Sequence, residues 1–337
     1  MTPSSQAGKA PVETDGTLGQ IGEFGLIRRV ATGRSQPAVT IVGPGDDAAV
    51  VAAPDGRVVA STDVLVETVH FRLDWSTPEQ VGRRAAAANL ADIAAMGAVP
   101  TALLVGVACP ASTPVATLTA LADGLWAEAA TVGAGVVGGD VASAAQLMVS
   151  VTALGSLEGR SPVCRSGARP GDLVAVRGRL GWAAAGLAVL QRGFRSPAVV
   201  VNAHRVPEPP YAAGPEAANA GATAMIDVSD GLLADLGHVA RASKVRIDVR
   251  SATLDVPARL ADVGAALGAD PRHWLLTGGD DHALAATFPR GALLPFGWIR
   301  VGTVLAGADD DNDADPPVLV DGRVYEGGPA GWDHFGH

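Results

Sequence analysis

Cysteine is nearly absent from this chain of 337 residues. Cys109 and Cys164 form no CxxC pair and no cluster with histidine, which excludes a disulfide-stapled scaffold and a cysteine-based zinc centre. They are expected to be buried free thiols, with a mutual disulfide as the alternative. Aromatic residues make up only 4% of the chain. There is no basic stripe and the formal charge is −10, so the phosphate-neutralising surface of a nucleic-acid binder is missing. No apolar run approaches the roughly 20 residues of a membrane span, and the opening "MTPSSQAGKAPVETDGT" lacks the apolar core of a signal peptide. These absences predict a cytoplasmic protein that uses neither membrane nor nucleic acid. The phosphate loop GxxxxGK[ST], a GxGxxG after a strand, and the HRD and DFG signatures are missing as well. Any nucleotide chemistry here must run on another fold.

What is present is alanine, valine and 42 glycines, in a chain that is 48% hydrophobic and 18% charged. That composition is globular, and the length suits two domains. Five aspartates between Asp309 and Asp315 account for half of the net charge. They are expected in a solvated loop over 308–315, because consecutive aspartates on a flexible segment do not fix coordination geometry. Residues 1–17 read as a flexible tail. Residues 18–160 read as a first domain. Apolar spacing over "LGQIGEFGLIRRV" predicts a helix, and strands flank "PDG" at 54–56, a hairpin signal. "STPEQVGRRAAAANLADIAAMGA" opens on an N-cap with proline in the first turn and stops at Gly97, as a helix should. "GRSPVCRSGARPGD" marks the junction, and 161–337 reads as a second domain of alternating strands and helices. The fold class predicted is α+β and two-lobed, with a mixed N-terminal sheet and a C-terminal α/β lobe.

The chemistry concentrates in short glycine–aspartate stretches. "GPGDDAAV" sets Asp46 beside Asp47. "STD" at 61–63 is expected to end a strand, and "NLAD" puts Asn89 and Asp92 on one helix face. "GGD" ends at Asp140, "IDVSDG" places Asp227 and Asp230 around Ser229, and "GGDDHAL" carries Asp280 and Asp281. Each alone can be a turn or a cap. Together, at element ends and without His/Cys partners, they fit a site where hard cations such as Mg²⁺ meet phosphates, with glycines opening the backbone to anions.

In order along residues 22–335, "GEFGLI", "GPGDDAAV", "STDVLVETVHF", "AAANLADIAAMGA", "GGD", "RSGARPGD", "IDVSDGLLADLGH", "GGDDHAL" and "GWDHF" resemble the thiamine-monophosphate kinase family. That family lies within a wider ATP-binding group that includes aminoimidazole ribonucleotide synthetase. The resemblance implies ATP-dependent phosphorylation of thiamine monophosphate with several Mg²⁺ ions, in a homodimer paired through its N-terminal sheets. It implies that Asp47, Ser61, Thr62, Asp63, Asp92, Asp140, Asp227 and Asp230 surround metal, with Asp230 and Arg165 at the reacting phosphate. Gly139, Arg165 and Ser229 would contact ATP, and His70, Asp280 and Trp332 the thiamine phosphate. One departure stands out: the family pattern GGED[YF]EL reads "GGDDHAL" here, so an aspartate and a histidine replace a glutamate and an aromatic. Two other readings are another ATP-dependent synthetase of the same group and a non-catalytic protein stabilised by metal. Taken without the resemblance, His70 reads as a packed or surface histidine, Arg165 as a solvated linker arginine, and Trp332 as a residue that packs the C-terminus against the body.

Overall fold

The computed structural model describes residues 16–44, 48–307 and 317–332. Asp46 and Asp47, most of the N-terminal tail, the acidic stretch and the residues after Trp332 lie outside the described residues. The elements run α1 (Leu18–Ala31), β1 (Thr40–Val42), β2 (Val50–Val51), β3 (Val59–Val66), α2 (Pro78–Ala95), β4 (Val99–Cys109), α3 (Val115–Thr131), β5 (Gly135–Ser143) and β6 (Met148–Ser156). They continue with β7 (Leu173–Arg177), α4 (Trp182–Gln191), α5 (Ala198–Arg205), α6 (Ala213–Asn219), β8 (Ala224–Val228), α7 (Leu232–Ser243), β9 (Val245–Val249), α8 (Ala258–Leu267), α9 (Pro271–Thr277), β10 (Ala283–Phe288), β11 (Ile299–Ala306) and β12 (Val318–Val320). The architecture is mixed α+β. Among the described residues no helix is long and apolar enough to cross a membrane.

The N-terminal half builds a four-stranded sheet ordered β3-β6-β4-β5, and α2 and α3 cover one of its faces. Leu90, Ile93, Leu103, Leu121, Val149 and Val151 fill the space between, each worth about 1.5–3 kcal/mol on burial. Thr77 caps α2 by accepting from the Gln80 amide at 3.3 Å, Pro78 occupies the first turn, and Gly97 follows the helix at φ 73°. The two helices touch at glycine. A Cβ on Gly82 would sit 2.0 Å from the Leu121 carbonyl oxygen, and one on Gly124 would sit 1.9 Å from that of Glu79.

The C-terminal half builds a six-stranded sheet ordered β12-β9-β11-β7-β10-β8. All of its pairings are antiparallel except β12 with β9. The expected α/β lobe is thus an α+β one: strands consecutive in the chain are not neighbours, and the strands that do pair run antiparallel in all but one case. Helix α2 also belongs to this half. Its last turn, Ala94 and Ala95, packs with Ala213, Ala217, Met225, Leu284 and Phe288.

Other sequence expectations need correction. Pro54–Gly56 does form a turn, with the Gly56 amide on the Ala53 carbonyl, but no hairpin, because β2 pairs with β1 and β3 with β6. Ser61, Thr62 and Asp63 lie inside β3 and Asp140 inside β5, not at strand ends. Polar residues are tolerated there because these strands leave part of their surface uncovered. Cys109 and Cys164 are both free, but only Cys109 is buried; Cys164 sits on the exposed connection between the two sheets.

Candidate active site

The inner face of β3 meets α2 through polar contacts. Side chains alternate along a strand, so Ser61 and Asp63 share one face and Thr62 takes the other. Ser61 Oγ donates to Asp92 Oδ2 at 2.5 Å, and the Asp63 amide donates to Asn89 Oδ1 at 3.0 Å. Asn89, fully buried, returns its Nδ2 to the Ala85 carbonyl at 3.0 Å. Thr62 turns outward, giving its hydroxyl to the Val151 carbonyl and accepting from Thr152.

The second half brings its own carboxylates to this place. Asp227, only 3% exposed on β8, accepts from His282 Nδ1 at 3.0 Å. Burial would lower the His282 imidazole, but the hydrogen bond and charge of Asp227 outweigh it and hold it above its ordinary value. Asp92 feels the charge of Asp227 as well. Burial, then the charge of Asp227, push its carboxyl up to about 7, with Ser61 and His282 opposing. Such a shift marks a carboxyl that is taken out of water and, second to that, set beside another negative charge. Past β8, the amides of Asp230 and Gly231 donate to Asp235 Oδ2 at 3.1 and 3.0 Å. Burial and Asp227 raise Asp235 to about 7 as well.

The segment after α9 closes over this turn. The Asp280 amide donates to the Ser229 carbonyl at 2.8 Å, and the His282 amide to that of Val228 at 3.0 Å. Both residues are left-handed, at φ 66° and 51°, a costly conformation for non-glycine residues. Gly279 makes the approach possible, since a Cβ there would lie 2.2 Å from the Ser229 oxygen. Asp281 turns away and accepts the Ala183 amide at the start of α4. The Trp332 amide donates to the Asp230 carbonyl at 3.0 Å, placing the end of the described chain at the same turn, with the residue 62% exposed.

Ser61, Asp63, Asp92, Asp227, Ser229, Asp230, Asp280 and Trp332 are thus gathered where the two halves meet. Arg165 lies nearby. Its charge and the opposing one of Asp230 both reach His238 on α7, which burial holds below its ordinary value. His70 sits beyond the end of β3, its Nδ1 accepting the Val66 amide at 3.0 Å. Gly139 and Asp140 are elsewhere. They lie on β5, three strands from β3, and line an open cleft of about 810 Å³ with Ser150, Thr152 and Arg57.

The donor set is one of hard oxygens, which suits Mg²⁺. Among the described residues no three His, Cys, Asp or Glu side chains converge on one point. The excess of buried negative charge around Asp92 is the feature that a cation would offset. Residues whose part did not show in the sequence are Arg84, paired with Asp280 at 2.9 Å, and Asp235. The one signal for Arg84 was a charge inside an alanine-rich helix two turns before Asp92.

The family described as AIR synthase related protein, N-terminal domain, matches residues 45–157. The chain is 54% identical over 321 residues to the thiamine-monophosphate kinase of Mycobacterium tuberculosis, covering 95% of this chain and 93% of that one. It is 42% identical over 318 residues to that of Corynebacterium glutamicum, covering 91% and 94%. Among solved structures it resembles AaThiL complexed with AMPPCP and TMP, with a TM-score of 0.76 at 30% identity, covering 94% and 98%.

Proposed function

The chain belongs to the thiamine-monophosphate kinase family, and on that footing we propose that it transfers the γ-phosphate of ATP to thiamine monophosphate, giving thiamine diphosphate in the cytoplasm. The observation that carries this reading is the meeting of Asp92 from one half with Asp227 from the other, beside Ser61.

Phosphoryl transfer needs positioning and charge neutralisation more than a reactive side chain. Asp63, Asp92, Asp227 and Asp230, with Ser61, are the oxygens that would hold Mg²⁺ in this reading; Thr62 faces the opposite side of β3 and joins them on the family pattern alone. Asp140, three strands away, and Asp47 join that set on the family pattern alone. When bound, Mg²⁺ supplies the positive charge that offsets the phosphate oxygens. Gly139 and Ser229 bring backbone and hydroxyl to ATP, and Arg165 adds a fixed cation beside Asp230. His70, Asp280 and Trp332 hold the acceptor side. The acceptor phosphate is already an anion near neutral pH, so no strong general base is required. Its oxygen forms the new bond to the γ-phosphorus as the bond to the ADP oxygen breaks, in line and without a phosphoenzyme.

Pairing of two chains through the N-terminal sheets is part of the proposal. What supports it is the uncovered face of β3, β6 and β4, where Val64, Met148 and Leu104 are 45%, 36% and 37% exposed. The division into domains at 160/161 is likewise our reading, supported by the connection between β6 and β7.

The test is thiamine diphosphate formation from thiamine monophosphate, ATP and Mg²⁺ by wild type, Asp92→Asn and Asp230→Asn. Product from wild type with a loss of about 10²–10³-fold in both variants is expected. Absence of product from a wild type that binds ATP would move the substrate elsewhere in the group. A phosphorylated residue trapped in turnover would overturn the in-line step.

A further inference from the structure

Arg84 is 8% exposed on α2, and its guanidinium reaches two groups of the other half. Its Nη1 donates to the His204 carbonyl at 2.9 Å, and its Nη2 pairs with Asp280 Oδ1 at 2.9 Å. The first contact satisfies a carbonyl in the last turn of α5, one of the groups a helix leaves without an internal partner. A backbone acceptor of that kind is fixed, so the guanidinium is fixed before it meets Asp280. Neighbouring bonds hold α5 to the same half as Arg84: Arg205 Nε donates to the Trp75 carbonyl at 2.6 Å, and the His204 and Trp75 rings pack edge to face.

Asp280 is constrained from its own side as well. Its backbone is left-handed at φ 66°, and its amide is tied to Ser229. With backbone and Oδ1 both held, the carboxylate cannot rotate, although its side chain is still 41% exposed. The exposed edge is therefore a fixed acceptor of hydrogen bonds, and its charge is cancelled from behind.

We propose that Arg84 is a positioning residue for the phosphate acceptor: it crosses the boundary between the halves to orient Asp280, so that Asp280 reads an N–H donor of the substrate by direction rather than attracting its positive charge. This rests on the reading that Asp280 faces thiamine monophosphate. Reach explains the pairing. An aspartate is one methylene shorter than the glutamate of the family pattern, and an arginine behind it fixes where the shorter side chain ends.

The test is steady-state kinetics of wild type, Arg84→Met, Arg84→Lys, Asp280→Asn and the double variant Arg84→Met/Asp280→Asn, with melting temperatures recorded for each. Arg84→Met is expected to raise KM for thiamine monophosphate about tenfold while KM for ATP stays within about twofold. Arg84→Lys, which keeps the charge but not the fork, recovers part of the loss. The double variant resembles Asp280→Asn, because Arg84 acts through that carboxylate. Equal changes in both KM values, single effects that multiply in the double variant, or a lower KM for thiamine monophosphate would each overturn the inference and leave the kinase reading in place. If Arg84→Met does not fold, the Arg84→Lys split between the two KM values decides. A wild type without turnover overturns the proposed function and this inference with it.

Discussion

Ser61 on β3 gives its hydroxyl to Asp92 on α2 at 2.5 Å, joining a strand to the helix that covers it. The bond opposes what burial and Asp227 do to Asp92, whose carboxyl they push up to about 7. Ser61 therefore helps keep Asp92 ionised. Ser61→Ala is expected to lower kcat about tenfold, within the range for losing one hydrogen bond to a charged group, and Asp92→Asn about 10²–10³-fold. Ser61→Thr, which restores the hydroxyl, should recover most of the alanine loss. A Ser61→Ala enzyme with unchanged kcat would show that the bond only fastens α2 to the sheet.

Acid should loosen the region around α5. Burial, then the charge of Arg84, hold His204 at about 4, against 6.5 for an ordinary imidazole. Between those values the unfolded chain binds the proton and the folded one does not. Stability from this group is therefore complete above pH 6.5 and falls on acidification, by up to about 3 kcal/mol near pH 4. Asp92, Asp235 and Asp281, each raised chiefly by burial to about 7, act in the opposite sense over the same range, since their folded forms take the proton first. The informative quantity is thus wild type minus His204→Gln. Melting temperatures at pH 7.5 and 5 should fall further for wild type than for the variant.

Gly82 and Gly124 let α2 and α3 touch backbone to backbone. Gly82→Ala puts a methyl group where the Leu121 carbonyl stands, and the helices must separate. A loss of about 1–3 kcal/mol is expected from the overpacking, read as a lower melting temperature. Gly133→Ala is the control: its Cβ would meet nothing within 4 Å, and its φ of 71° leaves only backbone strain. A smaller fall for Gly82→Ala than for the control would contradict the close contact.

If two chains pair through their sheets, charge on the uncovered face should separate them. Leu104→Glu and Val64→Glu are expected to halve the mass measured by light scattering, with the circular dichroism spectrum preserved. A wild type already monomeric at micromolar concentration removes the pairing from the proposal.

The sequence made the site more legible than the sheets. The polar excess of "IDVSDG" and the paired Asn89 and Asp92 stand out against an apolar background, and Asp227 and Asp92 do feel each other's charge. Helix α2 was legible because its cap, its proline and its closing glycine are all local. Strand partners are not local. Nothing within "PDG" says that β2 will pair backward with β1 while β3 crosses to β6. Nor does the run of strands and helices after residue 172 reveal that their order in space is antiparallel. Arg84 stayed hidden for the same reason: its partners, His204 and Asp280, are 120 and 196 positions away.

Ala94 and Ala95 close α2, but the surface they cover belongs to residues made much later. Gly214 is pressed so tightly against them that a Cβ would lie 1.9 Å from the Ala94 oxygen. During synthesis the N-terminal sheet can assemble with its two helices while the last turn of α2 still lacks its cover. That cover arrives only when α6, β8 and β10 have left the ribosome. The first half of this chain is thus complete in outline before it is complete in surface.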